Sequence, residues 1–403
     1  MLEREDPFSL AARQIQIDRE RIRDAEAAAR KVRRLGATAH GFLRGSAPLF
    51  YEILAQRPDL SHGPDGVGFL VGDMHLENVG AYRTDDDSVV FDLNDFDDAL
   101  IGPWQLDVLR LTTSVLLASQ AFEAPGHQAV EYAALAVTSH VAAAFDGARV
   151  APESCEPIAQ LIEQCRSRRR RDFLEDNTEV VNGKRRIKRG KRTFDVTADE
   201  ARIAPTLLAG YVRSLGEYAP QHAERWRVVD AAERLAGNGS LGRKRLWVLV
   251  DDAGEQRFIE LKQATTPAPA TLLGPVTLDP AERVVTGARS LLARPIFRLA
   301  PIPGRGDRPP FVGRRLRPDE DKLDLSKKQL GASFPEIVRV TAGLLGRAHR
   351  RAMTIPPSAR WTEKEQENLV DRAIEMASLH QGAWLAYARL SRAEPRGVDS
   401  VRP

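Results

Sequence analysis

From Ser9 to about Arg57 the apolar residues recur at helical spacing: Ile15, Ile17, Ile22, Ala25, Ala29 and Val32, then beyond Gly36 Phe42, Leu43, Leu49, Phe50, Ile53 and Leu54. A stripe with the 3.6-residue period predicts two N-terminal helices. Between Gly66 and Asp95 the pattern shortens to apolar runs at Val67 to Val71, Val79 to Tyr82 and Ser88 to Leu93, divided by polar turns. These predict three short strands. From Trp104 long helical stretches return over 104–122 and 127–148, rich in alanine, the best helix former.

Helical spacing resumes over 204–235 and stops at Gly237-Asn238-Gly239-Ser240-Leu241-Gly242. Strand-like Leu246 to Val250 and Arg257 to Leu261 follow, with Asp251-Asp252-Ala253-Gly254 as a hairpin turn between them. A helix from Pro280 to about Ala293 precedes expected strands at Ile296 to Leu299 and Phe311 to Leu316, and helices over 333–353 and 363–391 finish the chain. The fold class is therefore α+β, divided as a helical lobe over 1–225, a β-rich module over 226–317, C-terminal helices over 318–391 and a disordered tail over 392–403.

With 42% hydrophobic and 29% charged residues among 403, the chain has the composition of a folded protein. No run reaches the roughly 20 apolar residues of a membrane span, and the charged start Met1-Leu2-Glu3-Arg4-Glu5-Asp6 is unlike a signal peptide, so a cytoplasmic location is expected. The two cysteines, Cys155 and Cys165, supply neither a disulfide framework nor a zinc site. Net charge is only +3. The basic residues cluster in 166–192, but Asp172, Glu175, Asp176 and Glu179 separate the two basic runs and aromatics are sparse, so a solvated hairpin or loop is expected rather than a nucleic-acid surface.

Candidate chemistry lies first in Gly72-Asp73-Met74-His75-Leu76-Glu77-Asn78, where Asp73 ends a strand and Asn78 follows five residues later. One loop can aim both side chains into one cleft. Phe91 to Asp98 then packs Asp92, Asp95, Asp97 and Asp98 with Asn94 into eight residues, a density of like charge that calls for a counter-ion. Carboxylate and amide oxygens of this kind suit Mg²⁺, with Asn78 and either Asp92 or Asp95 as candidate ligands. The glycine-rich turn Gly237, Gly239, Ser240 and Gly242 does not follow a strand and open a helix, which removes a dinucleotide fold from consideration. Between antiparallel strands such a turn can cover phosphates. Lys262 ends the second strand and needs an anionic partner, either phosphate or Glu282 at the start of the next helix. His75 and His349 have no ligand-spaced partner and are expected to position other groups.

Gly72 to Asn78 resembles the His-Gly-Asp-x-His-x-x-Asn loop of aminoglycoside phosphotransferases and related small-molecule kinases, and Asp95-Phe96-Asp97 is similar to the kinase Asp-Phe-Gly motif. The stretch Gly237 to Lys262 resembles the opening of a kinase small lobe, while Ala342 to His349 is similar to the helix that runs into the catalytic loop in those kinases. The order implies a circularly permuted, two-lobed protein-kinase-like fold. The chain also resembles the bacterial DUF2252 family through Phe42-Leu43-Arg44-Gly45, Gly72 to Gly80, Asn94-Asp95-Phe96-Asp97, Gly239-Ser240-Leu241-Gly242 and Leu261-Lys262-Gln263-Ala264. The kinase resemblance implies ATP and Mg²⁺ as cofactors and a small-molecule hydroxyl as acceptor. It implies Asp73 as base, Asn78 and Asp95 as metal ligands, Lys262 on phosphate with Glu282 as its partner, and Asp107 and His75 in support. Val71 stands where those phosphotransferases carry His and Asp97 where kinases carry Gly, so a nucleotide-binding protein without transfer activity is the alternative.

Overall fold

The computed structural model describes residues 6–22, 25–235, 243–318, 320–325 and 328–393. The two expected N-terminal helices are divided into five: α1 (Pro7–Arg21), α2 (Ala25–Leu35), α3 (Ala39–Gly45), α4 (Ala47–Gln56) and the single turn α5 (Pro58–Ser61). Local chemistry sets the breaks. The Asp6 carboxylate caps α1 by accepting from the Phe8 and Ser9 amides, Thr38 caps α3 through the Gly41 amide, and prolines sit in the first turns of α4 and α5.

The expected strands follow as β1 (Val67–Leu70), β2 (Val79–Arg83) and β3 (Val89–Leu93), joined by β4 (Leu100–Pro103), which the pattern did not announce. Next come α6 (Gln105–Ser119), α7 (Gly126–Ala144), α8 (Glu156–Ser167) and α9 (Arg170–Asn177). The basic segment forms α9 and a hairpin of β5 (Thr178–Val181) and β6 (Lys184–Ile187), in which Arg171 pairs with Glu175 at 2.8 Å and Arg186 with Glu179 at 2.9 Å. Cys155 and Cys165 are buried and unbridged.

The β-rich module starts earlier than the boundary at 225. It begins with β7 (Thr193–Asp195) and α10 (Ala198–Leu215), then β8 (Arg227–Arg234), β9 (Arg245–Asp252) and β10 (Glu255–Gln263). The helix expected over 204–235 therefore ends at Leu215. Gly216, at φ 54°, stops it, and Arg227–Arg234 is instead a strand paired antiparallel with β7 and β9. The hairpin turn falls where expected, with Ala253 (φ 52°) and Gly254 (φ 91°) both left-handed, as a two-residue loop between antiparallel strands requires.

Beyond α11 (Ala270–Leu273), α12 (Pro280–Leu291) appears as expected. The strand expected at Ile296 to Leu299 does not form. Left-handed Arg298 (φ 53°) breaks the extended run, Ile296 makes only an isolated bridge to Thr84, and the strand is β11 (Ala300–Ile302). After β12 (Phe311–Arg315) and β13 (Asp321–Lys322), the chain closes with α13 (Phe334–Arg351), β14 (Met353–Ile355) and α14 (Glu363–Ala393).

One antiparallel sheet runs β11-β12-β10-β9-β8-β7, and α10 packs Leu207, Leu208 and Tyr211 under its Val248, Val250, Ile259 and Leu261 to form a core of its own. The larger core joins α1, α3, α4, α6, α7, α13 and α14 with the small sheets β14-β1-β4 and β13-β2-β3. The mixture is α+β. Among the described residues no helix is long and apolar enough to cross a membrane. Gly237 to Gly242 and the tail from residue 394 lie outside the described residues.

Candidate active site

The segment leaving β1 is fixed by its backbone. Gly72 adopts φ +83°, and a Cβ there would strike the Asp98 carbonyl, so only glycine fits. The Asp107 carboxylate, projecting from the first turn of α6, accepts from the Val71 amide at 2.6 Å and the Gly72 amide at 2.9 Å. Asp107 also meets His349 Nε2 at 3.1 Å, and His349 Nδ1 lies 2.9 Å from His140 Nε2. All three side chains are fully buried, so the loop is anchored through α6 to α13 and α7. Tyr51 adds a bond from its hydroxyl to the Gly72 carbonyl at 2.6 Å.

Asp73 points from this anchored loop toward Arg110. Both Arg110 bonds, one from Nε at 2.9 Å and one from the terminal nitrogen, go to Asp73 Oδ1, and neither uses Oδ2. Arg110 is itself completely buried, donates to the Leu43 carbonyl at 2.9 Å and lies 4.7 Å over the Phe50 ring. Burial pushes the Asp73 carboxyl up to about 7 against the pull of Arg110, with Asp98 and Asp95 adding to the rise.

Asn78 donates through Nδ2 to the Asp73 carbonyl at 3.0 Å and the Asp95 carbonyl at 3.4 Å. Its Oδ1 is buried and accepts no hydrogen bond among the described residues. Opposite, Lys262 on β10 places Nζ 3.4 Å from Asp95 Oδ1 and in a short ion pair with Asp97. Arg243 bonds Asp97 at 2.9 Å and stands 3.7 Å from Asp98, while Asp98 accepts from the Ala268 amide at 2.7 Å. The acid run thus meets its cations from the other core. Burial alone would raise the Asp95 carboxyl, but Lys262, Lys322, Arg245 and Arg243 outweigh it and hold Asp95 below the usual carboxylate range.

These groups line one cavity of about 770 Å³, whose wall includes Asp73, Asn78, Asp95 and Lys262. The donor set suits a hard divalent cation: an orphaned amide oxygen on Asn78 and the Asp95 carboxylate. Among the described residues no three His, Cys, Asp or Glu converge as a metal cage. That is compatible with Mg²⁺, which takes few protein ligands and completes its shell with phosphate and water.

Two expected site residues take other positions. Asp92 does not line the cavity. It alternates away from it along β3, toward Arg351 and Arg347, and burial pushes its carboxyl up to about 6. Of the two metal candidates, Asp95 is the one at the cavity. Glu282 is exposed in the first turn of α12 and does not pair with Lys262. The helix turns Ala281, Val284 and Val285 inward together with Arg283, which donates to the Asp97 carbonyl at 2.8 Å and the Thr265 carbonyl at 2.9 Å. His75 lines the cavity and accepts the Glu77 amide at 3.2 Å. Burial and nearby Arg44 keep its imidazole neutral, well below its ordinary range.

Arg110 and Arg243 were not foreseen. A lone arginine within Leu109-Arg110-Leu111 of an apolar helix was the available signal, since a buried guanidinium needs an anion. Arg243, directly after the glycine-rich turn, had none.

The family model for uncharacterized proteins conserved in bacteria, DUF2252, matches residues 23–390. No curated protein and no solved structure matches the chain.

Proposed function

We propose that this chain, which belongs to the DUF2252 family, is an ATP- and Mg²⁺-dependent phosphotransferase with a circularly permuted kinase-like fold, acting in the cytoplasm on a small-molecule hydroxyl. The observation that carries the proposal is that Lys262, 167 positions after Asp95 in the chain, stands 3.4 Å from its carboxylate in the cavity that also holds Asp73 and Asn78.

The order of elements supports the same reading. Antiparallel β8 and β9 flank the glycine-rich run 237–242, Lys262 lies on the next strand, and a helix and further strands follow, as in a kinase small lobe. Lys262 and Arg243 supply positive charge for phosphates, exchanging their present carboxylate partners for phosphate oxygens. Val284, Ile296, Leu299 and Val312 form an apolar stretch of cavity wall suited to a base. Asn78 Oδ1 and Asp95 would hold Mg²⁺, which when bound neutralises phosphate charge and orients the group to be transferred. Asp73 Oδ2, left unused by Arg110, accepts the proton of the acceptor hydroxyl. Asp107 keeps Asp73 in place through the backbone of Val71 and Gly72.

A second reading, a nucleotide-binding protein that transfers nothing, is favoured by two observations. Lys262 pairs with Asp97, at the position where kinases carry Gly, and the helix carboxylate Glu282 faces outward. Full-length protein incubated with γ-labelled ATP, Mg²⁺ and a panel of hydroxylated metabolites separates the two. Label transfer that disappears in Asp73→Ala supports the phosphotransferase. Nucleotide binding without Asp73-dependent transfer supports the second reading.

A further inference from the structure

Strand β12 alternates between two environments. Val312 and Arg314 face the cavity, whereas Arg315 turns to the opposite face of the sheet, next to Ile259 of β10. There five arginines gather at one end of the β10–β12 ladder. Arg315, Arg317 and Arg298 surround the Phe297 ring at 5.6, 4.4 and 5.4 Å, Arg257 lies two residues from Ile259 on β10, and Arg170 donates to the neighbouring Gln256 carbonyl at 3.3 Å.

Carboxylates hold three of them. Arg257 pairs with Asp252 and with Glu255 at 2.8 Å, Arg170 with Glu255 at 3.4 Å, and Arg317 with Asp87. Arg315 is 8% exposed and forms no hydrogen bond or ion pair among the described residues, and what remains exposed includes its guanidinium nitrogens; the Nε of Arg298 is buried and donates to no partner among those residues. Burial, then Arg257, Arg170 and Arg317, lower the Arg315 guanidinium to about 9, so it still carries its charge at neutral pH. A mostly buried guanidinium crowded by other arginines and lacking an anion is costly, and a ligand anion reaching its solvent-facing nitrogens relieves that cost. A planar guanidinium fork beside further arginines matches the oxygens of a phosphate group, and the Phe297 ring fixes the approach.

We propose that Arg315 and Arg298, flanked by Arg317 and Arg257, form a second anion site at the end of the β-lobe sheet, on the face that α10 covers and away from the cavity, taking the phosphate group of a small soluble molecule. The site is separate from the cavity and does not depend on the phosphotransferase reading. It lies one residue along β12 from Arg314, whose guanidinium bonds Glu260 at 2.9 Å and Glu320 at 2.7 Å in the cavity wall.

Thermal unfolding of the full chain with inorganic phosphate or pyrophosphate, at constant ionic strength, tests this. Both anions raise the unfolding temperature of the wild type and of Lys262→Met. In Lys262→Met/Arg315→Met, where the cavity lysine is removed as well, the shift that Lys262→Met retains is lost, with affinity weakened about tenfold or more, as expected for one charge-assisted contact removed. Without added anion Arg315→Met unfolds at or above the wild-type temperature, because it deletes an uncompensated charge, so misfolding cannot imitate the result. Absence of any shift in the wild type, a shift in Lys262→Met/Arg315→Met as large as in Lys262→Met, or a shift abolished by Lys262→Met overturns the proposal.

Discussion

The role proposed for Asp73, accepting a proton, depends on where the side chain sits. A base must be ionised to act, and burial sets its carboxyl at about 7. Turnover is therefore expected to fall as pH drops through about 7, and Asp73→Asn to reduce it about 10²- to 10⁴-fold with the fold retained, read by steady-state rates against pH. Arg110 opposes the rise, so Arg110→Met should move the acidic limb to higher pH. The linkage sign is the reverse of the usual carboxylate. The folded pKa lies above the reference 3.8, so the favourable contribution of the protonated form is present below about pH 4 and lost as pH rises through about 7. Denaturant titrations should show wild type losing stability relative to Asp73→Asn across that window. Asp73, Asn78, Asp95 and Lys262 were legible because loop spacing and strand ends bring acid, amide and lysine into one place. Arg110 was not, since it sits inside an apolar helix with no strand end or motif to mark it, and only the fold brings it to Asp73, 37 residues away.

At the scale of elements, α6 and α13 act as anchors rather than as chemistry. Asp107 accepts two backbone amides and faces His349 while fully buried, so Asp107→Ala leaves those donors unsatisfied and should cost about 3 kcal/mol or more, read by chemical unfolding. Helix α13 approaches α7 through Gly346, where a Cβ would press on the His140 carbonyl, and Gly346→Ala should cost about 1–3 kcal/mol by forcing the helices apart. Helix α12 behaves differently. Glu282→Gln should leave nucleotide affinity within about twofold, because the exposed carboxylate meets neither Lys262 nor the cavity. The sequence showed α12 but not which of its charges turns inward, since adjacent Glu282 and Arg283 differ only in helical phase. Strand β8 escaped the apolar pattern for a related reason: Ala231, Ala232 and charges recurring three apart at Arg227, Asp230 and Glu233 fit a helix locally, and pairing with β7 and β9 decides for a strand.

Over the whole molecule, two cores from distant stretches of the chain meet at one cavity, with the acids delivered by residues 73–98 and the cations by 243–262. The loop Gly72 to Asn78 precedes the glycine-rich run and the lysine strand, whereas in the kinases its motif resembles it follows them, and the proposed permuted order draws its support from the pairing of Lys262 with Asp95 and Asp97. The direct test is calorimetric titration of ATP into the full-length protein with and without Mg²⁺, beside Lys262→Met and Asp95→Asn. Mg²⁺-dependent binding is expected in the wild type, weakened about tenfold or more in each variant. Wild-type protein that binds no ATP with Mg²⁺ present, or variants that bind it as tightly as wild type, would contradict a nucleotide site built from the two cores.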